Sequence, residues 1–346
     1  MRKFLIALAI FLGVIFFIWK IAEVQAIVDT LKRGDWRFLL FAFLIEIAWL
    51  MNVAYSYQTI FAAIGLEEKI RYLLPIAAAA NFLNVIAPSA GMSGMAVFAS
   101  EAHRRNYSPG RAAIAGALYV LLDYSAFFCI LGLGLVVLVR RHDLNVGEII
   151  ATILLLGLAV FIATLIYLGM RSAVLLGRVL SWLARQVNRF FWVFIHHDYL
   201  SEKRAHEFAF EAAEGLSELG REPGRLALPF GLAITKELLL VTVLYLSFLA
   251  FAVPVSIGTL IAGFSIGYLF LIISPTPSGL GVVEGVLTLV LSSMHVPLGA
   301  AAVVTIAYRG FTFWLPLLFG IAAFRLLGRS KKVIRDAKID LTNTNL

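Results

Sequence analysis

Asp123, Glu284 and Arg309 are ionisable residues set inside long apolar stretches of this sequence, and they define most of the chemistry open to it. Ionised groups at such positions are costly in hydrocarbon and face a bundle interior or a pathway. Glu284 starts the segment that follows Ser274–Gly281. Its carboxylate either caps the free N–H groups of a first helical turn or contacts a cationic group or a proton. Arg309, directly after Tyr308, stays charged at any accessible pH. It either holds a phosphate, with bidentate geometry available, or pairs with Glu284 and locks the bundle. Asp123, between Tyr119 and Tyr124, is a site residue or the partner of another buried charge. Glu46 with Asn52, and Lys236 with Glu237, are secondary candidates, since a lysine near a helix end can snorkel to the interface.

Soluble-enzyme constellations are missing. There is no Walker phosphate loop, no Rossmann glycine fingerprint, and no His-Glu-x-x-His or Cys-x-x-Cys pair. Gly279-Leu-Gly281 is too short for a nucleotide loop. His196 and His197 adjoin a basic aromatic stretch and mark an interface rather than a metal. Cys129 is the only cysteine, which excludes a disulfide framework and a thiol metal site. No cofactor or metal is expected.

Two breaks interrupt the apolar sequence in matching style. The first contains Asn81, Asn84, Pro88, Gly91, Ser93 and Gly94; the second contains Pro275, Pro277, Ser278, Gly279 and Gly281. With Pro88 set over Pro275, Gly94 falls over Gly281. Proline removes a helix donor and clashes with the preceding turn, whereas glycine admits turns and close backbone approach. Asn81 and Asn84 lie three apart on one helix face, available either to substrate hydroxyls or to the broken backbone. Non-helical backbone at membrane depth is tolerated only where it is buried in protein or lines a cavity. Two corresponding breaks therefore point to an internal repeat with a substrate site at its interface.

The elements that must position these residues are membrane helices. The chain is 61% hydrophobic and 14% charged over 346 residues, against roughly 45–50% and about 25% in a soluble domain. Apolar segments at 4–19, 38–60, 112–139, 149–168, 226–253 and 300–324 are long enough, or nearly so, for a hydrocarbon core about 30 Å thick. The expected fold is all-α and polytopic, with about six to eight crossings in two pseudo-symmetric inverted halves that carry broken or re-entrant hairpins. The run at 4–19 reads as a retained first helix rather than a cleaved signal.

The expected organisation is one transmembrane domain over 1–327. Its first half spans 4–169 with a hairpin at 73–100. A cytoplasmic or interfacial linker covers 170–225, and the second half spans 226–327 with a hairpin at 256–296. A cytoplasmic tail follows at 328–346. Most Lys and Arg residues fall on one side of this arrangement, the exceptions including Lys20, Lys32, Arg33, Arg37, Arg140 and Arg141. Basic loops stay in the cytoplasm, so both termini are expected there, in the cytoplasmic membrane. The net charge of +8 reflects those loops and their anionic lipid neighbours rather than nucleic-acid binding.

Pro277-Ser-Gly-Leu-Gly-Val-Val-Glu284, followed by Ala307-Tyr-Arg309 and the aromatic run to Pro316 and Gly320, closely resembles the transmembrane part of lysylphosphatidylglycerol synthases and of freestanding proteins that share it. The likeness covers roughly residues 5–327. It departs at Ser278, where the family pattern has a glycine, and at Val120, where an arginine-containing element often precedes the aspartate. No aminoacyl-transfer domain follows Lys338. The resemblance implies the lipid-translocating part without the synthase, acting on anionic or aminoacylated phospholipids, with a separate lipid-modifying enzyme as a possible partner.

The leading expectation is thus a phospholipid flippase rather than an enzyme. Its headgroup site would draw on Arg309, Glu284, Asp123, Ser278, Gly279, Gly281, Ser93, Gly94, Asn84, Asn81 and Tyr308. The alternatives are a membrane enzyme or accessory subunit acting on a lipid-linked substrate, a structural or partner-binding protein, and a small-solute carrier. The enzyme reading needs a reactive acid–base pair, for which Asp123 or Glu284 is the best available, and whether both carboxylates face one cavity wide enough for a headgroup is the discriminating observation.

Overall fold

The structure, a computed structural model, describes residues 29–66, 68–86, 97, 109–141, 146–195, 209, 210, 212, 213, 216, 222–274 and 276–323. The expected helix at 4–19, the break residues Pro88, Gly91, Ser93, Gly94 and Pro275, and the tail at 328–346 lie outside these. All regular structure among the described residues is helical. The helices are α1 (Trp36–Ala63), α2 (Ile70–Ile86), α3 (Pro109–Arg141), α4 (Val146–Arg171), α5 (Ala173–Ile195), α6 (Ala227–Ala250), α7 (Ile257–Ile273), α8 (Val282–Ser293) and α9 (Leu298–Arg309). A π-turn at Gly310–Trp314 continues α9 to residue 323.

Four helical stretches are long and apolar enough to cross a bilayer: Trp36–Ala63, Ala113–Arg140, Gly224–Ala250 and Leu298–Ala323. Their outward surfaces are apolar as well. Phe41, Leu44, Leu133, Val136, Leu238 and Leu318 are all exposed, a surface that suits lipid and not water. The chain is a multi-pass membrane protein. Within the segment expected as a linker, α5 is amphipathic, burying Leu176 and Ser181 while Arg178 and Trp182 face outward.

The helix ends repeat at one ungapped shift in numbering. That shift carries Ala63 onto Ala250 and Ile70–Ile86 onto Ile257–Ile273. It also carries Gly65 (φ 74°) onto Ala252 (φ 51°). Each of these left-handed residues closes the same C-cap. Leu66 N–H donates to Phe61 O at 2.9 Å, and Val253 N–H donates to Phe248 O at 3.0 Å, the reach-back bond that satisfies late helix carbonyls. In sequence, Pro88 and Pro275, and Gly94 and Gly281, fall at the same shift. The equivalent helices α1 and α6 pack most intimately of all pairs. They run antiparallel, since Asp35 N–H before α1 donates to Ala250 O at the end of α6, at 2.8 Å.

Two cores result. One gathers Phe127, Phe248, Phe264 and Leu287 from α3, α6, α7 and α8. The other gathers Ile60, Ile64, Leu73 and Leu118 from α1, α2 and α3. Lipid tails are as apolar as leucine, so close packing and interhelical hydrogen bonds, rather than water exclusion, hold such cores together. The α3–α7 contact illustrates both. A Cβ on Gly134 would sit 2.5 Å from Ser265 Oγ, and that hydroxyl bonds to Ile261 O (2.7 Å) and to Ile130 O (3.1 Å) across the interface. Trp49 and Tyr119 pack on both cores, and the space between them is polar.

Candidate functional site

A partly enclosed cavity of about 180 Å³ opens between the two cores. Its volume lies below the roughly 300–1,000 Å³ of sites that enclose a whole drug-sized ligand. It has room for a polar head and none for long chains. Helix α1 contributes Trp49 and Tyr57, α2 contributes Asn81 and Asn84, and α3 contributes Tyr119, Asp123 and Tyr124. Lys236 enters from α6, Tyr268 from α7, Ser274, Thr276 and Ser278 from the break, and Tyr308 and Thr312 from α9.

The charged centre of this cavity is Lys236. Its ammonium pairs directly with Asp123 across the α3–α6 contact and with Glu237 Oε1 at 3.1 Å. It also donates to Tyr268 Oη at 2.9 Å. Both Lys236 and Glu237 are buried, at 4% and 0% exposure, so the ammonium does not snorkel. It sits near the middle of α6 and spends its charge inside the bundle. Around it Tyr57 and Tyr119 stack with ring centroids 4.3 Å apart, and Tyr268 lies against Phe127 and Phe264.

Arg309 and Glu284 stand behind the cavity. Arg309 Nε donates to Glu284 Oε1 at 2.6 Å, and Nη2 donates to Ser278 O at 2.8 Å. Glu284 Oε2 accepts from Gly281 N–H at 2.7 Å, so the carboxylate caps α8 and binds the arginine at once. Of the uses open to these residues from sequence, the structure contains both the cap and the lock. The guanidinium is 1% exposed and lies over the Phe313 ring, 4.9 Å from its centroid. A planar fork with several donors can join a carboxylate and a carbonyl in this way, which an ammonium cannot.

The fork holds the break in an unusual path. Ser278, Gly279 and Gly281 all have positive φ, at 47°, 68° and 76°. At Gly279 a Cβ would collide with Val283 and reach Leu271 Cα at 3.2 Å, so only glycine fits. Thr276 Oγ1 donates to Leu280 O at 3.0 Å and shares a 2.8 Å bond with Ser274, which satisfies backbone the broken helix would leave bare. The π-turn after Arg309 has a local cause. Pro316 has no N–H for the carbonyl one turn back, and Leu315 N–H reaches Gly310 O instead.

Of the residues singled out from sequence, Asn81, Asn84, Asp123, Ser278 and Tyr308 meet in the cavity wall, whereas Arg309, Glu284, Gly279 and Gly281 form the scaffold behind it. Pro277 opens the 3-10 turn of the break. Sequence reasoning gave Lys236 too little weight and missed the tyrosine lining. A signal was present: Lys236 and Glu237 fall deep within an apolar span rather than at its end. Asp123 and Glu284 do not share the cavity.

The family model for the lysylphosphatidylglycerol synthase transmembrane region matches residues 4–320. Among curated proteins, the chain is similar to a UPF0104 membrane protein of Methanothermobacter thermautotrophicus. The two are 24% identical over 306 residues, covering 87% of this chain and 89% of the relative.

Proposed function

The chain belongs to the lysylphosphatidylglycerol synthase transmembrane-region family, and from that premise we propose that it translocates a phospholipid, passing the headgroup through the cavity while the acyl chains stay in the bilayer. A lipid-handling membrane protein is the reading supported by the family and the helical bundle together. The observation that carries the finer reading is the Asp123–Lys236 ion pair at the wall of a polar cavity inside an apolar bundle.

An ammonium in that setting suits a lipid phosphate, and a carboxylate suits a cationic amine. An anionic head competes for Lys236 alone. An aminoacylated head replaces the internal pair by two external ones and leaves neither charge bare, which favours that class. Asn81, Asn84 and the tyrosine hydroxyls would take glycerol or amino-acid polar groups. Arg309 and Glu284 hold the break that shapes one wall.

Two inverted halves rocking about the cavity would give access to each leaflet in turn. Support comes from the shared numbering shift and from the antiparallel pairing of the equivalent helices α1 and α6. Re-entrant hairpins and cytoplasmic termini belong to the same reading, and the partner would be a separate enzyme that aminoacylates the lipid. An enzymatic role would draw its acid or base from Asp123 or Glu284, and Asp123 is paired with Lys236. Glu284 is bound to Arg309 and the α8 backbone, which leaves that alternative without a supporting observation.

The test is translocation of labelled phosphatidylglycerol, with and without a lysyl group, in liposomes containing the purified protein. Fast headgroup-selective flipping that is lost in Lys236→Ala and reduced in Asp123→Asn supports the reading. Absence of flipping across a broad phospholipid panel overturns it.

A further inference from the structure

A third buried carboxylate lies outside the arrangement described so far. Glu46 of α1 is 1% exposed, and neither of its oxygens has a hydrogen-bond partner among the described residues. Glu46, Trp49, Val53 and Tyr57 follow one another at helical spacing along one face of α1. The last three line the cavity, so Glu46 continues its α1 wall by one turn. A second helix shows the same pattern. On α9 Thr305, whose buried hydroxyl also has no partner among the described residues, is one turn from the cavity residue Tyr308, while on α6 Glu237 lies between the cavity residues Lys236 and Leu240. Tyr308 lies within electrostatic range of both Glu46 and Glu237. Buried polar groups on α1 and α9 therefore continue one turn beyond the cavity lining.

Charge accounting decides what this extension can hold. Among the described residues, Arg309 is matched by Glu284, while Lys236 is shared between Asp123 and Glu237. Glu46 has no cation. A lone ionised carboxylate inside a bundle at membrane depth costs several kcal/mol or more, so a positive charge must join it. The group in electrostatic range of Glu46 is Tyr308 on α9, which also faces Arg309 and Glu237, and Glu237 in turn faces Lys236, Asp123 and Tyr268. The two cations among them, Lys236 and Arg309, are already committed to Asp123, Glu237 and Glu284.

We propose that Glu46 is a proton-binding site fed through the cavity, and that its proton travels with the lipid. The step is a simple exchange: water in the cavity delivers a proton to a Glu46 carboxylate oxygen when the cavity faces one side, and takes it back when the cavity faces the other. Coupling to the lipid rests on the translocator reading above, whereas the proton site itself stands on the buried geometry alone.

Two measurements on the full chain separate those claims. In difference infrared spectra of the protein in nanodiscs, recorded from mildly acidic to mildly alkaline pH, a buried carboxyl C=O band should appear and vanish. It should be missing in Glu46→Gln and displaced in Glu46→Asp. A band that does not titrate, or that persists in Glu46→Gln, overturns the proton site. In liposomes, a one-unit pH gradient should shift the leaflet distribution of labelled lipid by up to about tenfold if one proton accompanies each lipid, and Glu46→Gln should flip lipid without responding to the gradient. Wild-type flipping that ignores the gradient overturns the coupling. A titrating Glu46 band in a protein that flips no lipid upholds the site and overturns the translocator reading instead. Elution of both variants as wild type on size exclusion confirms that they fold.

Discussion

Lys236 of α6 and Asp123 of α3 form a direct ion pair at the cavity wall, and Lys236 also holds Glu237, its neighbour in sequence, at 3.1 Å. Among the described residues the lysine is therefore the only cation paired with these two buried carboxylates, and the two sides of the pair are not equivalent. Lys236→Met leaves two carboxylates without a partner and is expected to cost about 3–5 kcal/mol. Asp123→Asn leaves the lysine bound to Glu237 and should cost clearly less. Thermal unfolding of the purified variants, followed by fluorescence-detected size exclusion, checks the order. Equal losses would mean that Glu237 takes no part.

Arg309→Lys preserves charge but not shape. One ammonium cannot reproduce the fork that reaches Glu284 Oε1 at 2.6 Å and Ser278 O at 2.8 Å together. A buried acceptor is then left bare, at a cost of about 1–3 kcal/mol. The same thermal assay should show Arg309→Lys well below wild type, although a charge-only account of the site would leave it unchanged.

Several of these relationships were legible in the sequence, and the reasons others were not are physical. Proline and glycine act on their own backbone, so the break around Ser278–Gly281 could be located from residue types alone. The helices after it followed from apolar length. Pairing was harder to see. Asp123 and Lys236 are far apart in the chain and meet only because α3 and α6 pack, and nothing local to either residue names the other. Lys236 was discounted as a snorkelling residue since a lysine stem can reach an interface, and only the depth of its place in α6 argues otherwise. The tyrosine lining was invisible for a related reason. Tyr57, Tyr119 and Tyr268 sit on three helices, and each alone is an ordinary membrane aromatic.

Ser278 offers a test of the strained break. It stands at φ 47°, ψ 33°, a left-handed conformation that costs an L-residue roughly 1–2 kcal/mol and glycine almost nothing. Glycine loses more chain entropy on folding, about 0.5–1 kcal/mol. The difference leaves Ser278→Gly stabilising by up to about 1 kcal/mol. Gly279→Ala should go the other way, since its Cβ would collide with Val283 at φ 68°. A parallel melt of the two variants reads both signs, and a destabilised Ser278→Gly would show that the serine hydroxyl matters more than its backbone.

Gly320 sets how closely the last helix approaches α2. A Cβ there would collide with Phe82 Cβ and come within 3.0 Å of Ala78 O. The obstruction is partly backbone, so rotamer changes alone cannot relieve it. Close approach through small residues is how membrane helices gain packing energy, and overpacking typically costs about 1–3 kcal/mol. Gly320→Val should therefore lower the melting temperature and, by pushing α9 off α2, widen the cavity edge that Asn84 and Thr312 share. Phe82→Ala removes the ring, whose Cγ would lie 3.0 Å away, but keeps the Phe82 Cβ position and the Ala78 carbonyl in place. The double variant should recover some of the loss and not all of it. Full recovery would assign the whole contact to the Phe82 ring, and no recovery would assign it to the Phe82 Cβ and the Ala78 carbonyl.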